Sequence, residues 1–402
     1  MMKLKFLSVL AAIVVISGSQ LAHAEEPLTP GQLLGQRIFN DKNLSEPAGQ
    51  ACSSCHDESK AFTGNGGSSI AAIAQGSTAD KLGVRNVPTL KYVAYSPPLI
   101  FRGEADEKGE VNLVPTGGQF WDGRANTLVD QVHGPLFNKV EMNNTDATTV
   151  AAKIMRSDYA KEFEKEFGPF AKQDPKMILA NVATALAVFE SSSRFMSFSS
   201  KFDSVLQGKM TFTPQEARGF ELFKNEEKGN CLSCHVGKVE STDPTDWVFT
   251  DFTYDNLGLP RNKSIPANID ANYFDLGICK QEGLDKKLPP SIKLESLCGA
   301  FKLPTLRNVA ITAPYFHNGS FSNLRDAVKF YVTRDTNPEL WYPKLADGTV
   351  QKFNDLPATA VENVNITEKP YDRKLGETPR LNDEEIDAVV AFLKTLTDEK
   401  SE

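Results

Sequence analysis

The sequence predicts a mainly α-helical protein that contains two copies of one module. The pattern Cys-x-x-Cys-His occurs twice, at residues 52–56 and 231–235. A Thr-Pro pair precedes each copy, at 29–30 and 213–214, and this pair is typical of the N-cap and first residue of a helix. The chain of 402 residues is also long enough for about two domains.

Composition and charge narrow the class of protein. Hydrophobic residues make up 40% of the chain and charged residues 24%, which is typical of a globular protein rather than a disordered one. The net charge of −8 is unfavourable for binding a polyanion, so we expect no nucleic acid among the partners.

The first residues have the pattern of an export signal. Lys3 and Lys5 precede an apolar stretch over 6–18 that is too short to span a bilayer, and residues 22–24 (Ala-His-Ala) are typical of a cleavage site. We therefore expect residues 1–24 to be a signal peptide and the mature protein to lie in the periplasm. The alternative is an N-terminal membrane anchor. No later segment has the length and hydrophobicity of a membrane span.

Four of the six cysteines belong to the repeated pattern, which is the attachment signal for c-type haem. Two thiols form thioethers with the haem vinyl groups, and the adjacent histidine binds the iron. The alternative is a zinc site or a thioredoxin-like redox site, but zinc needs further Cys or His ligands close by. The sequence predicts two covalently bound haems, one held by Cys52, Cys55 and His56 and the other by Cys231, Cys234 and His235.

The remaining cysteines, Cys279 and Cys298, are separated by 18 residues. In an exported protein we expect such a pair to form a disulfide bond. In the chain-entropy model, closing a loop of this size stabilises the fold by about 3 kcal/mol. A redox-active role is the alternative.

Two longer blocks also recur along the chain. Residues 88–98 match 304–314 in their Pro-Thr-Leu, Val-Ala and Pro positions, and the pattern over 121–132 returns over 317–328 at identical spacing. Internal repeats of this kind predict a duplicated architecture. Each half is therefore predicted to be one cytochrome c-like domain, over 25–203 and 204–402.

Two further features concern the layout of these domains, namely their last helices and one segment without a repeat. The spacing of apolar residues over 381–396 predicts a closing helix, and 177–189 is its expected counterpart in the first half. Residues 103–118 have no partner in the second half, so they are expected to form a loop insertion.

The repeat indicates how the two irons differ. A haem with an open face reacts with peroxide or oxygen, whereas a six-coordinate haem transfers electrons. No methionine follows Met210, so the candidate sixth ligands in the second half are Tyr331 and His317, and His317 is also a candidate partner of a haem propionate. Pro135, the equivalent of Tyr331, has no ligating side chain, so the first iron is expected to stay open. His133 is the spare histidine of that half, and a surface role is favoured over ligation.

An open haem that cleaves peroxide needs a nearby group that moves a proton between the two oxygens as the O–O bond breaks. Glu141 and Gln131 lie close to Pro135 in the sequence and are the candidates. The alternative for Glu141 is an ordinary exposed carboxylate.

With these residues assembled, the sequence resembles the bacterial di-haem cytochrome c peroxidases and MauG proteins over essentially the whole mature chain. The resemblance rests on both Cys-x-x-Cys-His sites and on four further segments, namely 85–89 (RNVPT), 120–124 (FWDGR), 134–135 with 140–142 (GP, VEM) and 313–319 (APYFHNG). It implies a peroxidatic haem in the first domain and an electron-transfer haem in the second.

The resemblance also implies roles for single residues. His56 would bind the first iron, and His235 and Tyr331 would bind the second. Glu141 matches the distal acid/base and Gln131 a distal amide. Trp121 matches a tryptophan that relays electrons between the haems, and the alternative for it is ordinary core packing.

A structural Ca²⁺ between the domains is a further implication of the resemblance. Its protein ligands would be the Asn86 side chain and the carbonyls of Thr312 and Pro314, and such oxygen donors suit a hard cation. Because family peroxidases are often dimers, the resemblance also implies a homodimer.

Two departures from many family peroxidases point to the MauG-type branch. Tyr331 stands where many members have methionine, and no histidine lies upstream of the RNVPT segment to block the first iron. The first iron is therefore expected to react without prior reduction of its partner. Because tyrosinate is a hard anionic donor, the second haem is expected to have a lower potential than a His/Met haem.

Three functions remain open from the sequence. The first is a periplasmic peroxidase that reduces hydrogen peroxide with electrons from a small redox protein, such as a cytochrome c or a cupredoxin. The second is a MauG-like enzyme that oxidises tryptophan or another residue on a partner protein. The third is a non-catalytic electron carrier, which would have two six-coordinate haems.

Overall fold

The computed structural model describes residues 27–105 and 109–399. The predicted signal peptide, residues 1–24, lies outside this range. Within it, no helix combines the length and apolar character that crossing a membrane requires.

Helices dominate the secondary structure of the described residues, as predicted. The α-helices are α1 (Pro30–Phe39), α2 (Cys52–Cys55), α3 (Leu128–Phe137), α4 (Ala147–Met155), α5 (Ala160–Phe167), α6 (Pro175–Glu190), α7 (Lys201–Leu206), α8 (Pro214–Lys224), α9 (Leu324–Thr333) and α10 (Asp383–Lys394). Short 3₁₀ turns, including Cys231–Ser233 at the second motif, lie between many of them.

Both Thr-Pro pairs begin a helix, as expected. Thr29 caps α1 and Thr213 caps α8, and each hydroxyl accepts the backbone N–H of the residue three positions further on, Gln32 or Glu216. The side chains of Gln32 and Glu216 in turn accept the threonine N–H, which completes a capping box. Each of these helices leads into a Cys-x-x-Cys-His segment.

The same helix crossing occurs in each half of the chain. Helix α1 packs against α6, and α8 packs against α10. At the first crossing Gly35 lies against the Ala185 carbonyl, and at the second Gly219 lies against the Ala388 carbonyl. A Cβ atom at either glycine would collide with that carbonyl, so glycine is what allows the helices to approach so closely.

The two largest apolar clusters follow the order of the chain. One is built from residues between 34 and 195 and the other from residues between 202 and 396. In the first cluster the Phe39 ring contacts the rings of Phe62 and Phe189. At the corresponding place in the second cluster, the rings of Phe223, Phe249 and Phe392 contact one another.

The expectation that residues 103–118 form a loop is wrong, because most of this insertion belongs to a β-hairpin. Strand β1 (Ile100–Ala105) pairs antiparallel with β2 (Val111–Thr116), with Ile100 opposite Thr116. Gly109 has φ +79°, a left-handed conformation that glycine adopts without strain between two strands. A bridge between Thr116 and Thr253 connects the hairpin to the second half.

A second small sheet lies beside the disulfide. Strand β3 (Tyr254–Asp255) pairs antiparallel with β4 (Phe301–Lys302). Cys279 and Cys298 are bonded to each other, which confirms the predicted disulfide. The bond closes the loop that leads into β4.

Candidate functional site

Two cavities open beside the two Cys-x-x-Cys-His segments. The first cavity, of about 500 Å³, is lined by Cys52, Cys55 and His56. The second, of about 180 Å³, is lined by the second motif's Cys231, Cys234 and His235. Both walls are mainly apolar, which suits a large flat cofactor with few polar groups.

The histidine of each motif is held in the tautomer that a metal ligand needs. His56 Nδ1 lies 2.8 Å from the Phe62 carbonyl, and His235 Nδ1 lies 3.0 Å from the Phe249 carbonyl. Because Nδ1–H donates to the carbonyl, the Nε2 lone pair is free to bind iron, the usual arrangement of metal-bound histidine. Burial lowers the pKa of His56 to about 4, so this imidazole is neutral.

The loops that carry these carbonyls are fastened in the same way. Thr89 Oγ1 donates to the Ala61 carbonyl at 2.5 Å, and Thr305 Oγ1 donates to the Val248 carbonyl at 2.6 Å. Each accepting residue directly precedes the phenylalanine that contacts the histidine. Equivalent threonines of the recurring Pro-Thr-Leu block therefore fix the orientation of both histidines.

The alternative readings of the motifs do not fit the surroundings of the thiols. Burial raises the pKa of Cys55, Cys231 and Cys234 to about 12, whereas a thioredoxin-like motif needs a thiol whose pKa is lowered. Nowhere in residues 27–105 and 109–399 do three or more His, Cys, Asp or Glu side chains form a group that could hold a metal ion. Two thiols and a neutral histidine beside an apolar cavity fit covalently attached haem.

Glu141 lies in the first cavity and is not the exposed carboxylate of the alternative reading. Its Oε1 accepts a hydrogen bond of 2.8 Å from Asn138 Nδ2. Burial raises the pKa of Glu141, and the Asn138 hydrogen bond and the charge of Arg124 partly oppose this rise. Gln131 lines the same cavity, so the two candidate residues of the sequence lie in one site.

Pro135 and Tyr331 occupy corresponding positions, on α3 and α9 respectively. Pro135 lines the first cavity and Tyr331 lines the second. Proline has no N–H, so the Gln131 carbonyl lacks its usual partner one helical turn later. Burial raises the pKa of the Tyr331 phenol, and the charge of Arg334 partly opposes this rise.

The two other histidines of the described residues differ in their position relative to the cavities. His317 lines the second cavity, and its ring stacks on Phe301 with centroids 3.4 Å apart. Burial lowers the pKa of His317 to about 3, so the ring is neutral. His133 lies outside both cavities, and its Nδ1 is 3.3 Å from the Asp130 carbonyl of its own helix.

Trp121 lines both cavities and is held at two points. Its Nε1 donates to the Asn86 carbonyl at 2.8 Å, and its own carbonyl accepts from the Lys302 N–H at 2.8 Å. In the corresponding contact, the Asn86 N–H donates to the His317 carbonyl at 2.7 Å. Since Asn86 corresponds to Lys302 and Trp121 to His317 in the recurring blocks, the two halves exchange equivalent hydrogen bonds around Trp121.

Two of the three residues expected at a calcium site meet directly. Asn86 Nδ2 lies 2.5 Å from the Pro314 carbonyl oxygen and 3.2 Å from that of Phe316. Thr312, two positions before Pro314, lines the adjacent first cavity. An amide and main-chain carbonyls are oxygen donors of the kind that Ca²⁺ prefers.

Sequence reasoning missed three residues of the site. Asn138 is recognised only from its contact with Glu141. Arg85 begins the RNVPT segment, but its ion-pair partners Asp122 and Asp275 are distant in sequence. Glu190 ends α6 and lines the first cavity, and comparison with Leu393, its counterpart in α10, could have found it.

Fold and site together define a helical redox protein with two sites for c-type haem. A family model described as di-haem cytochrome c peroxidase matches residues 30–211. The methylamine utilization protein MauG of Paracoccus denitrificans is 35% identical over 410 residues, which cover 100% of this chain and 97% of MauG. The chain therefore belongs to the di-haem cytochrome c peroxidase family, whose members carry two c-type haems.

Two further relatives are peroxidases. Cytochrome c551 peroxidase of Nitrosomonas europaea is 30% identical over 304 residues, covering 74% of this chain and 71% of that protein. The crystal structure of the di-haem peroxidase BthA from Burkholderia thailandensis has a TM-score of 0.83 and 39% sequence identity, covering 93% of this chain and 87% of that chain. Membership of this family identifies the chain as an oxidoreductase.

Proposed function

We propose that the protein reduces hydrogen peroxide to water in the first cavity, with electrons from a small redox protein such as a cytochrome c or a cupredoxin. The observation that carries this proposal is the difference between the cavities. The first contains the buried acid Glu141 beside Pro135, whereas the second contains Tyr331 at the position of Pro135. Bound haem supplies the redox chemistry at iron that breaks the O–O bond.

The residues of the first cavity supply the proton chemistry. His56 Nε2 would bind the iron, and Glu141 lines the cavity in which peroxide would react. The Glu141 carboxylate takes the proton from the near oxygen of peroxide and returns it to the far oxygen, which leaves as water. Asn138 holds the carboxylate in place, and Gln131 is positioned to donate a hydrogen bond within the cavity.

The second half would supply electrons. His235 and Tyr331 would bind the second iron, and His317 would hydrogen-bond a haem propionate at the boundary between the halves. Trp121 is suited to carry electrons between the cavities because it lines both. Each half would be one cytochrome c-like domain, over 25–203 and 204–402, with one Ca²⁺ held by Asn86, Thr312 and Pro314 between them.

A second candidate function is MauG-like oxidation of tryptophan or another residue on a partner protein. It is favoured by the 35% identity to MauG of Paracoccus denitrificans over the whole chain. Both candidates use the same cavity residues and differ in the donor that reaches the protein surface. For either one, export of the chain to the periplasm after removal of residues 1–24 is part of the proposal.

Steady-state turnover of peroxide with reduced cytochrome c or cupredoxin separates the candidates. Rapid turnover supports the peroxidase, and oxidative modification of a partner protein with slow turnover supports the MauG-like enzyme. Optical and EPR spectra of the isolated protein are the control. Absence of a high-spin ferric haem would overturn both and leave the non-catalytic electron carrier. A Trp121→Phe variant should slow turnover without changing the initial reaction with peroxide.

A further inference from the structure

Glu190 is a buried acid in the first cavity that the proposed chemistry does not use. Its exposed fraction is 4%, and it lines the cavity as the last residue of α6. Its Oε2 is buried and makes no hydrogen bond to any described residue. An unpartnered carboxylate in such a place is costly, so the neutral carboxylic acid is the favoured form.

The position of Glu190 in α6 has a counterpart in α10 of the second half, and there the residue is apolar. Gly35 packs on Ala185 as Gly219 packs on Ala388, so α6 and α10 correspond residue by residue. Five positions further on, Glu190 corresponds to Leu393, which is equally buried and lines the second cavity. An apolar side chain therefore satisfies the packing here, and the acid in the first half has another purpose.

The surroundings of Glu190 contain little charge to stabilise its anion. Its pKa is raised to about 8, and burial is the single cause. The end of α6 adds to this, because carbonyl groups at a helix C-terminus disfavour a negative charge. Glu190 interacts with Cys52 of α2, whose sulfur would become an uncharged thioether when haem is attached. The other charged residues that line the cavity are Arg85, Lys91, Asp122, Arg124, Glu141, Asp275 and Lys302.

A second unpartnered polar atom lines the same cavity. Gln50 Nε2 donates to the carbonyls of Gln75 and Gly76, while its buried Oε1 has no partner among the described residues. The neighbouring Ser77 N–H donates to the Glu141 carbonyl at 2.8 Å, so Gln50 borders the segment that carries Glu141. Unsatisfied polar atoms around a roomy cavity are the places where water is held.

Reduction of one H₂O₂ to two H₂O consumes two electrons and two protons. Glu141 only moves a proton from one peroxide oxygen to the other, so it supplies no net proton. We propose that Glu190 is a neutral acid that holds one of these two protons and releases it to water in the first cavity. Its O–H bond breaks as the reduced oxygen gains the proton, and the Glu190 carboxylate then takes a proton from solvent.

This proposal rests on the proposed peroxidase function, in which the donor protein supplies both electrons and solvent supplies the second proton. Glu190 would act through water in the cavity rather than on peroxide itself. Its effect on rate should therefore be smaller than that of Glu141.

The first test needs no peroxide. The infrared difference spectrum of resting haem-loaded native protein minus Glu190→Gln at pH 7 should contain the C=O band of a protonated carboxyl group. Glu226→Gln, which changes an exposed acid in the second half, should give no such band. Absence of the band from the Glu190→Gln difference overturns this proposal and says nothing against the peroxidase function.

The second test is the pH dependence of steady-state peroxide turnover with reduced cytochrome c, because the net protons are taken up when the donor's electrons reduce the remaining oxygen. In native protein the turnover rate should fall as the pH rises through about 8, where Glu190 loses its proton. Glu190→Gln and Glu190→Leu, the latter carrying the residue of the second half, should both lose this decline and turn over about tenfold more slowly at pH 7, below the ~100-fold effect of direct acid–base groups. An unchanged decline in either folded variant overturns the proposal. A native protein that does not react with peroxide overturns the proposed function instead.

Discussion

The two halves of the chain build the same support for histidine and differ in what faces it. In both, a capped helix crosses a closing helix at a glycine, and the motif histidine donates to a phenylalanine carbonyl. A threonine of the recurring Pro-Thr-Leu block holds the loop that carries this carbonyl. The differences are at single positions. Pro135, Glu190 and Trp121 in the first half correspond to Tyr331, Leu393 and His317 in the second. A shared scaffold thus fixes the haem sites, and a few cavity residues give each site its chemistry.

The largest expected effect is the loss of acid–base catalysis in the first half. Glu141→Gln keeps the size of the side chain but removes its ability to accept a proton. Because general acid–base groups contribute about 10²–10⁴-fold, we expect the rate constant for the reaction with peroxide to fall by that factor. Stopped-flow absorbance of the haem-loaded protein measures it, with Glu226→Gln as the matched control.

The same experiment has a pH-dependent form. The Glu141 carboxylate is the form that accepts the proton, and burial raises its pKa. The native rate should therefore fall at acidic pH as this group becomes protonated, and Glu141→Gln should lack that decline. An undiminished rate in the variant would show that another group moves the proton.

The disulfide is a feature of the second half only, and it should act on stability rather than on the site. Replacing both Cys279 and Cys298 by serine should lower the free energy of unfolding by about 3 kcal/mol, because the unfolded chain regains the freedom that the loop closure removed. Chemical denaturation of the haem-loaded protein measures this change. A large change in the peroxide reaction would contradict a purely stabilising role.

The helix crossings test whether the halves are equivalent in packing. Gly35→Ala and Gly219→Ala each place a Cβ against a helix carbonyl, so each should destabilise the protein by about 2 kcal/mol. Denaturation curves of the two variants should give similar changes. If the free energy of unfolding changed in only one variant, the close helix contact would not constrain both halves equally.

The smallest expected effect concerns the second iron. Tyr331→Met replaces an anionic oxygen donor with a neutral thioether, which should raise the reduction potential of the second haem. A tenfold change in the preference for the reduced state corresponds to about 59 mV for one electron, and we expect a rise of at least this size. Spectroelectrochemical titration measures it, and an unchanged potential would refute Tyr331 as a ligand.

Local rules explain how much of the fold the sequence predicts. The Thr-Pro pairs begin helices because capping depends on residues within one turn, and the closing helices follow from apolar spacing. Residues 103–118 were expected to be a loop, whereas most of them form a hairpin that also bridges to Thr253 far along the chain. The ion pairs of Arg85 were missed because Asp122 and Asp275 are distant in sequence. Asn138 lies three residues from Glu141, but the hydrogen bond between their side chains is seen only in the structure.

The sequence by itself determined the chemistry that is written in short motifs: two haem attachment sites, a disulfide pair, and a proline opposed to a tyrosine at one repeated position. Covalent attachment requires adjacent residues, so it can be read along the chain. Only the tertiary structure decided that Glu141 is buried, that Trp121 lines both cavities, and that Glu190 Oε2 has no hydrogen-bond partner among the described residues. Burial and contact between distant residues set these properties, and they exist only once the helices have packed.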